Sequence, residues 1–168
     1  YICGDATNAY SNKKVRKFIR QFVFIRPNYV VIFDRVNSTN PSYQKKWLLH
    51  FLNKPTVTGN ETFVSEGEYL YDGDLVVAQA NEGKMFVKVL LPSKHRIRKV
   101  GGRGIKDYWV FGKNYPPEPT DYETNYGEWR IEIEPIVLQE DDLFLNVLYV
   151  TDINTQTMVP VERIEEEN

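Results

Sequence analysis

A period of two runs through this chain almost from end to end, and it leaves only β architectures open. Residues 17–25 put Phe18, Arg20, Phe22 and Phe24 on one face and Ile19, Gln21, Val23 and Ile25 on the other. Residues 129–134 alternate as cleanly, with Trp129, Ile131 and Ile133 inward and the charged residues between them outward. Successive strand residues point to opposite faces, so this is the pattern of a half-buried strand. Turn chemistry separates the alternating segments: Arg26-Pro27-Asn28-Tyr29, Gly59-Asn60, Asp72-Gly73-Asp74 and Asn81-Glu82-Gly83-Lys84. Residues 30–36 read as the return strand of a hairpin, and residues 143–150 as a buried strand. Residues 47–52 are apolar on both faces, which predicts a strand lying between two layers. Strands recurring roughly every ten residues predict an all-β fold, a two-layer antiparallel β-sandwich.

Residues 1–160 are expected to form this single domain, with 161–168 a frayed acidic tail. The first residue is Tyr1, not Met, and the chain reads as a piece excised from a longer protein. No run approaches the ~20 apolar residues of a membrane helix, so no membrane span is expected. A net charge of −2 gives no overall field for a polyanion and argues against nucleic acid as the main ligand. Cys3 is the only cysteine, which excludes an internal disulfide and a cysteine-built metal cluster. The two histidines, His50 and His95, leave little material for a histidine-built metal site.

Five segments in consistent order carry a resemblance to a known family. They are residues 4–11, the pair 20–24 and 29–36, then 47–50, 127–135 and 142–148, with sequences such as Trp47-Leu48-Leu49-His50 and Gly127-Glu128-Trp129-Arg130-Ile131-Glu132-Ile133-Glu134-Pro135. Together they resemble the C-terminal β-domain of the heparinase II/III-like polysaccharide lyases. The resemblance implies a parent with an N-terminal helical catalytic domain and C-terminal β-sandwich layers, cleaving uronate-containing acidic polysaccharide by β-elimination. It implies a secreted or periplasmic bacterial protein. No catalytic or metal-ligand position of the family maps onto this chain, so no catalytic residue, metal ligand or cofactor is expected here. Any zinc would belong to the part upstream. The implied partners are the acidic polysaccharide and the helical domain of the same protein. This chain is then expected to support the substrate cleft rather than catalyse by itself, and the alternative is a stand-alone carbohydrate-binding module.

Three features are candidates for contact with such a ligand. The basic run 94–99 contains Arg96, Arg98 and Lys99, with Arg103 beyond it; guanidinium forks pair well with sulfate and carboxylate. Its competing reading is a solvated edge strand whose charges guard against aggregation. Trp109, Tyr115, Tyr122 and Tyr126 could stack on sugar faces, or pin the loop 114–127 onto the sandwich. His50 has the chemistry of a base near neutral pH, while its apolar neighbours predict a buried, hydrogen-bonded strand histidine. Asp34 is a possible partner for it across neighbouring strands, or else part of an Asp34–Arg35 edge arrangement. The turn Gly101-Gly102-Arg103-Gly104 lacks the strand–loop–helix setting of a phosphate cradle.

Overall fold

The computed structural model describes residues 1–117 and 126–165. In chain order the first strands are β1 (Ile2–Asp5), β2 (Val15–Ile25), β3 (Tyr29–Ser38), β4 (Trp47–Phe51), β5 (Thr56–Val57), β6 (Glu61–Ser65) and β7 (Glu68–Tyr71). There follow β8 (Leu75–Ala80), β9 (Gly83–Leu91), β10 (His95–Gly101), β11 (Trp109–Val110), β12 (Lys113–Asn114), β13 (Trp129–Pro135) and β14 (Asp141–Asp152). A short 3-10 turn, Thr7–Ala9, precedes β2. Seven strands form one sheet in the order β1-β2-β3-β14-β9-β8-β5, five form a second in the order β4-β13-β10-β7-β6, and β11 and β12 make a separate hairpin. Their ladders are antiparallel, and the fold is the all-β sandwich that the alternation predicts.

The core lies between the two sheets. Ile32, Val87, Phe144 and Leu148 of the larger sheet meet Trp47, Ile97, Ile131 and Ile133 of the smaller one. Removing an isoleucine side chain fully from water is favourable by about 1.5–3 kcal/mol, so Ile97, Ile131 and Ile133 together pin the inner face of the smaller sheet. That choice dictates the other face. With Ile131 and Ile133 inward, Arg130, Glu132 and Glu134 must point out; with Ile97 inward, Arg96 and Arg98 must do the same.

Strand order corrects two expectations. The basic strand β10 is no edge: it is hydrogen-bonded to β13 on one side and β7 on the other. Residues 47–52 do not lie between two layers. Their strand β4 is the outermost of the smaller sheet, burying Trp47 and Phe51 and leaving Leu48 and His50 exposed. Asp34 and His50 therefore belong to different sheets. Asp34 is buried and held by Arg20, whose Nε donates to it at 2.7 Å. His95 is used within the fold, its Nδ1 lying 2.7 Å from the Pro92 carbonyl oxygen. Among the described residues no helix is long and apolar enough to cross a membrane.

Candidate functional site

The outer face of the smaller sheet carries an ion network in three layers of strand. Glu134 on β13 is fully buried although it faces outward, because three cations cover it. Arg96 Nε reaches it at 2.7 Å, Arg98 Nε at 2.9 Å and Lys46 Nζ at 2.9 Å. Lys46 also meets Glu132 at 2.6 Å, and Arg130 Nε donates to Glu132 at 2.7 Å. On β7, Glu68 is paired with Arg98 and Lys106. Five cations (Lys46, Arg96, Arg98, Lys106 and Arg130) thus surround three carboxylates. Burial works against the charge of Glu134, yet the hydrogen bonds from Arg98, Lys46 and Arg96 win and hold its carboxyl down at about 2.

Beside this network runs a trench of about 960 Å³, whose floor includes His50, Glu68, Arg98, Arg130 and Glu132. Its far wall is the β11–β12 hairpin, which brings Trp109, Val110 and Phe111 over the sheet. Phe111 and Gly112 both have positive φ, 48° and 83°, as a two-residue hairpin loop of the I′ kind requires. Glycine takes that conformation freely, whereas a phenylalanine there is strained. The Phe111 ring is also wholly exposed. An aromatic ring held in strained backbone at the rim of a charged trench is placed for contact with something outside the chain.

His50 sits on the trench, not in the core. It is exposed and stands directly across the ladder from Arg130. Partial desolvation, with Arg130 next, pushes its imidazole below the ordinary value, so it is neutral near pH 7. The expectation of a buried, hydrogen-bonded histidine fails because β4 has only one face against the core.

The other candidates disperse. Trp109 lines the trench and stacks on the Lys106 ammonium at 4.6 Å. Arg103 projects from the turn after β10 and pairs with Glu128, its Nε at 2.8 Å. Tyr126 packs on Tyr108 with ring centroids 5.0 Å apart and donates to Asp107, which ties the end of the long loop to the sandwich. Tyr115 is exposed near Lys113, away from the trench floor, and Tyr122 lies outside the described residues. Among the described residues no three His, Cys, Asp or Glu side chains come together as a metal site needs.

Lys99 parts company with Arg96 and Arg98, since the alternation turns it to the inner face. It is 4% exposed, with its Nζ 4.6 Å from the Tyr71 ring centroid and 5.2 Å from that of Tyr69. Burial, and then the charge of Lys54, bring its ammonium down to about 8. A folded-state value below the ordinary 10.5 means that the unfolded chain holds this proton longer. Stability from this group is therefore lowest at neutral pH and rises between about pH 8 and about pH 10.5. Replacing it by methionine (K99M) is expected to raise stability at neutral pH by about 1 kcal/mol. It should also remove that rise from urea titrations repeated across the alkaline range. An unchanged alkaline rise in K99M would assign it to other groups.

Several trench residues escape a reading of the sequence by clusters. Arg130, Lys46 and Phe111 are scattered over three segments, and only the pairing of β4, β13 and β10 gathers the first two. The available signal was Arg130 sharing the outward face of its strand with Glu132 and Glu134.

No family model and no curated protein matches this chain. Among solved structures, the chain is similar to a mutant of the heparan sulfate lyase HepC from Pedobacter heparinus, at 12% identity and a TM-score of 0.44. The similarity covers 92% of this chain and 20% of that one, so this chain spans one fifth of that protein's length.

Proposed function

We propose that this chain is a glycan-contacting β-sandwich domain of a polysaccharide-lyase type of protein, lining the cleft for an acidic polysaccharide without itself breaking the bond. The observation that carries the reading is the trench. In a chain of net charge −2, Lys46, Arg98 and Arg130 line it with Glu68 and Glu132, at the margin of a network of five cations around three carboxylates and beside the half-buried ring of Trp109 and the exposed ring of Phe111. Guanidinium forks suit sulfates and carboxylates, and aromatic faces suit the C–H faces of sugar rings. The lyase context is supported by the ordered resemblance of five segments to the heparinase II/III-like β-domain. In that context the domain works outside the cytoplasm, beside a helical catalytic domain of the same protein.

Equilibrium binding to a panel of acidic polysaccharides at two salt concentrations tests this. The expected result is binding that weakens with salt and drops about tenfold or more in an Arg98→Ala, Arg130→Ala double variant. Absence of binding to every member of the panel overturns the glycan-contact role.

One observation favours a second reading. His50 is solvent-accessible and paired across the ladder with Arg130, which places a neutral base beside a group able to neutralise a uronate carboxylate. Appearance of unsaturated uronate product with the isolated chain, lost in His50→Ala, would establish that reading in place of the supporting one.

A further inference from the structure

A second cavity, of about 360 Å³, opens between the sheets next to the trench. The two are adjacent, sharing Tyr10, Gln44 and Lys46 in their linings. Their chemistry differs. The inner cavity is walled largely by rings and aliphatic groups: Tyr10, Phe18, Val36, Tyr43 and Phe144. Tyr10 meets Phe18 edge to face with centroids 5.6 Å apart, and Tyr10 and Tyr43 are 51% and 39% exposed, so both rings have surface to offer.

Three of the four cations that line the cavity hold carboxylate partners. Arg20 grips the buried Asp34 with two nitrogens and lies 5.8 Å from the Phe18 ring centroid. Lys45 meets Asp142 at 2.9 Å. Lys14 stands exposed at the rim. Lys46, which the cavity shares with the trench, is held by Glu132 and Glu134. The Arg20 side chain is nonetheless 45% accessible, which leaves a neutralised polar pair facing an aromatic-walled space. That combination suits a molecule with an apolar face and a rim of hydroxyls: the volume falls in the range of small-molecule sites, the rings take the C–H face, and the fixed Arg–Asp pair offers both a donor and an acceptor.

We propose that this inner cavity binds an uncharged sugar ring, stacked on Tyr10 and Tyr43 with its hydroxyls toward Arg20 and Asp34. Its role in the same polymer as the trench rests on the function proposed above; its existence as a site does not. The test therefore has two probes. A neutral disaccharide, cellobiose, titrated into the whole chain is expected to give saturable amide shifts at Phe18 and Arg20. Tyr10→Ala or Tyr43→Ala should weaken that binding about tenfold, while Tyr10→Phe and Tyr43→Phe retain it. Both tyrosines are exposed enough for the variants to fold, and unchanged melting temperatures would confirm it.

An acidic hexasaccharide is the second probe. Shifts at Phe18 and Arg20 together with salt-sensitive binding support both the cavity and the trench. Salt-sensitive hexasaccharide binding with no shift at these residues for either probe, and no effect of the tyrosine variants, overturns the cavity and leaves the trench. Cellobiose binding without hexasaccharide binding supports the cavity and overturns the acidic-glycan reading. No response to either probe overturns both.

Discussion

Exchanging Glu134 for glutamine is expected to cost about 3 kcal/mol of stability at neutral pH, because it leaves Lys46, Arg96 and Arg98 crowded around a site that no longer carries charge. The shape is kept, so the loss reads the charge alone. Its pH dependence has a definite sign. The carboxyl sits at about 2 in the folded chain, below its ordinary value of 4.5, so proton uptake favours the unfolded state. The contribution is complete above about pH 4.5 and disappears as the pH falls toward about 2. Urea denaturation of the native chain and of E134Q should therefore differ widely at neutral pH and converge in acid. A gap that stays constant over that range would mean that glutamine disturbs packing rather than charge.

Gly101→Ala is expected to be at least as damaging, at about 3 kcal/mol or more. Gly101 ends β10 with φ at +156°, and a Cβ there would lie 2.3 Å from the Glu128 carbonyl oxygen and 2.7 Å from the Trp129 Cα. Neither neighbour can retreat: Gly101 pairs with Trp129 across the ladder, and its N–H donates to the Gly67 carbonyl oxygen at 2.9 Å. Gly104→Ala provides the contrast. Its φ is also positive, at +72°, but a Cβ would meet nothing within 4 Å, so only the backbone term of about 1 kcal/mol applies. Comparable unfolding midpoints for the two variants would refute the close-approach argument.

What could be read from the sequence is what depends on neighbours along the chain. The alternation of Trp129, Ile131 and Ile133 marks a strand because burial of one face is a local pattern, and Ile131 and Ile133 are fully buried in the core with Trp129 half-buried at the end of the strand. The hairpin of β2 and β3 follows from the turn at Pro27 and Asn28. What failed depends on neighbours across the sheet. Nothing in Lys94-His95-Arg96-Ile97-Arg98-Lys99 says that glutamates from β13 and β7 stand beside it, so the run reads as solvated when it is a paired, central strand. Leu48 and Leu52 suggested an apolar surround for His50, yet strand order puts β4 at the margin and its outward face in water. Lys99 shows the converse: a residue type of the surface, carried inward by the register of its strand.

The fastening of Arg96 and Arg98 by Glu134 has a consequence for selectivity. Immobilising a long, free side chain on binding costs about 0.5–1.5 kcal/mol each, and here that freedom is already gone before a ligand arrives. The two guanidinium groups rise from alternate positions of one strand, whose spacing is about 7 Å, with the neighbouring strand about 5 Å aside. An anionic polymer laid across the outer face of the smaller sheet thus meets a stiff lattice of positive points instead of a mobile cloud. Its periodicity, rather than its total charge, then decides how many of those points it can engage at once.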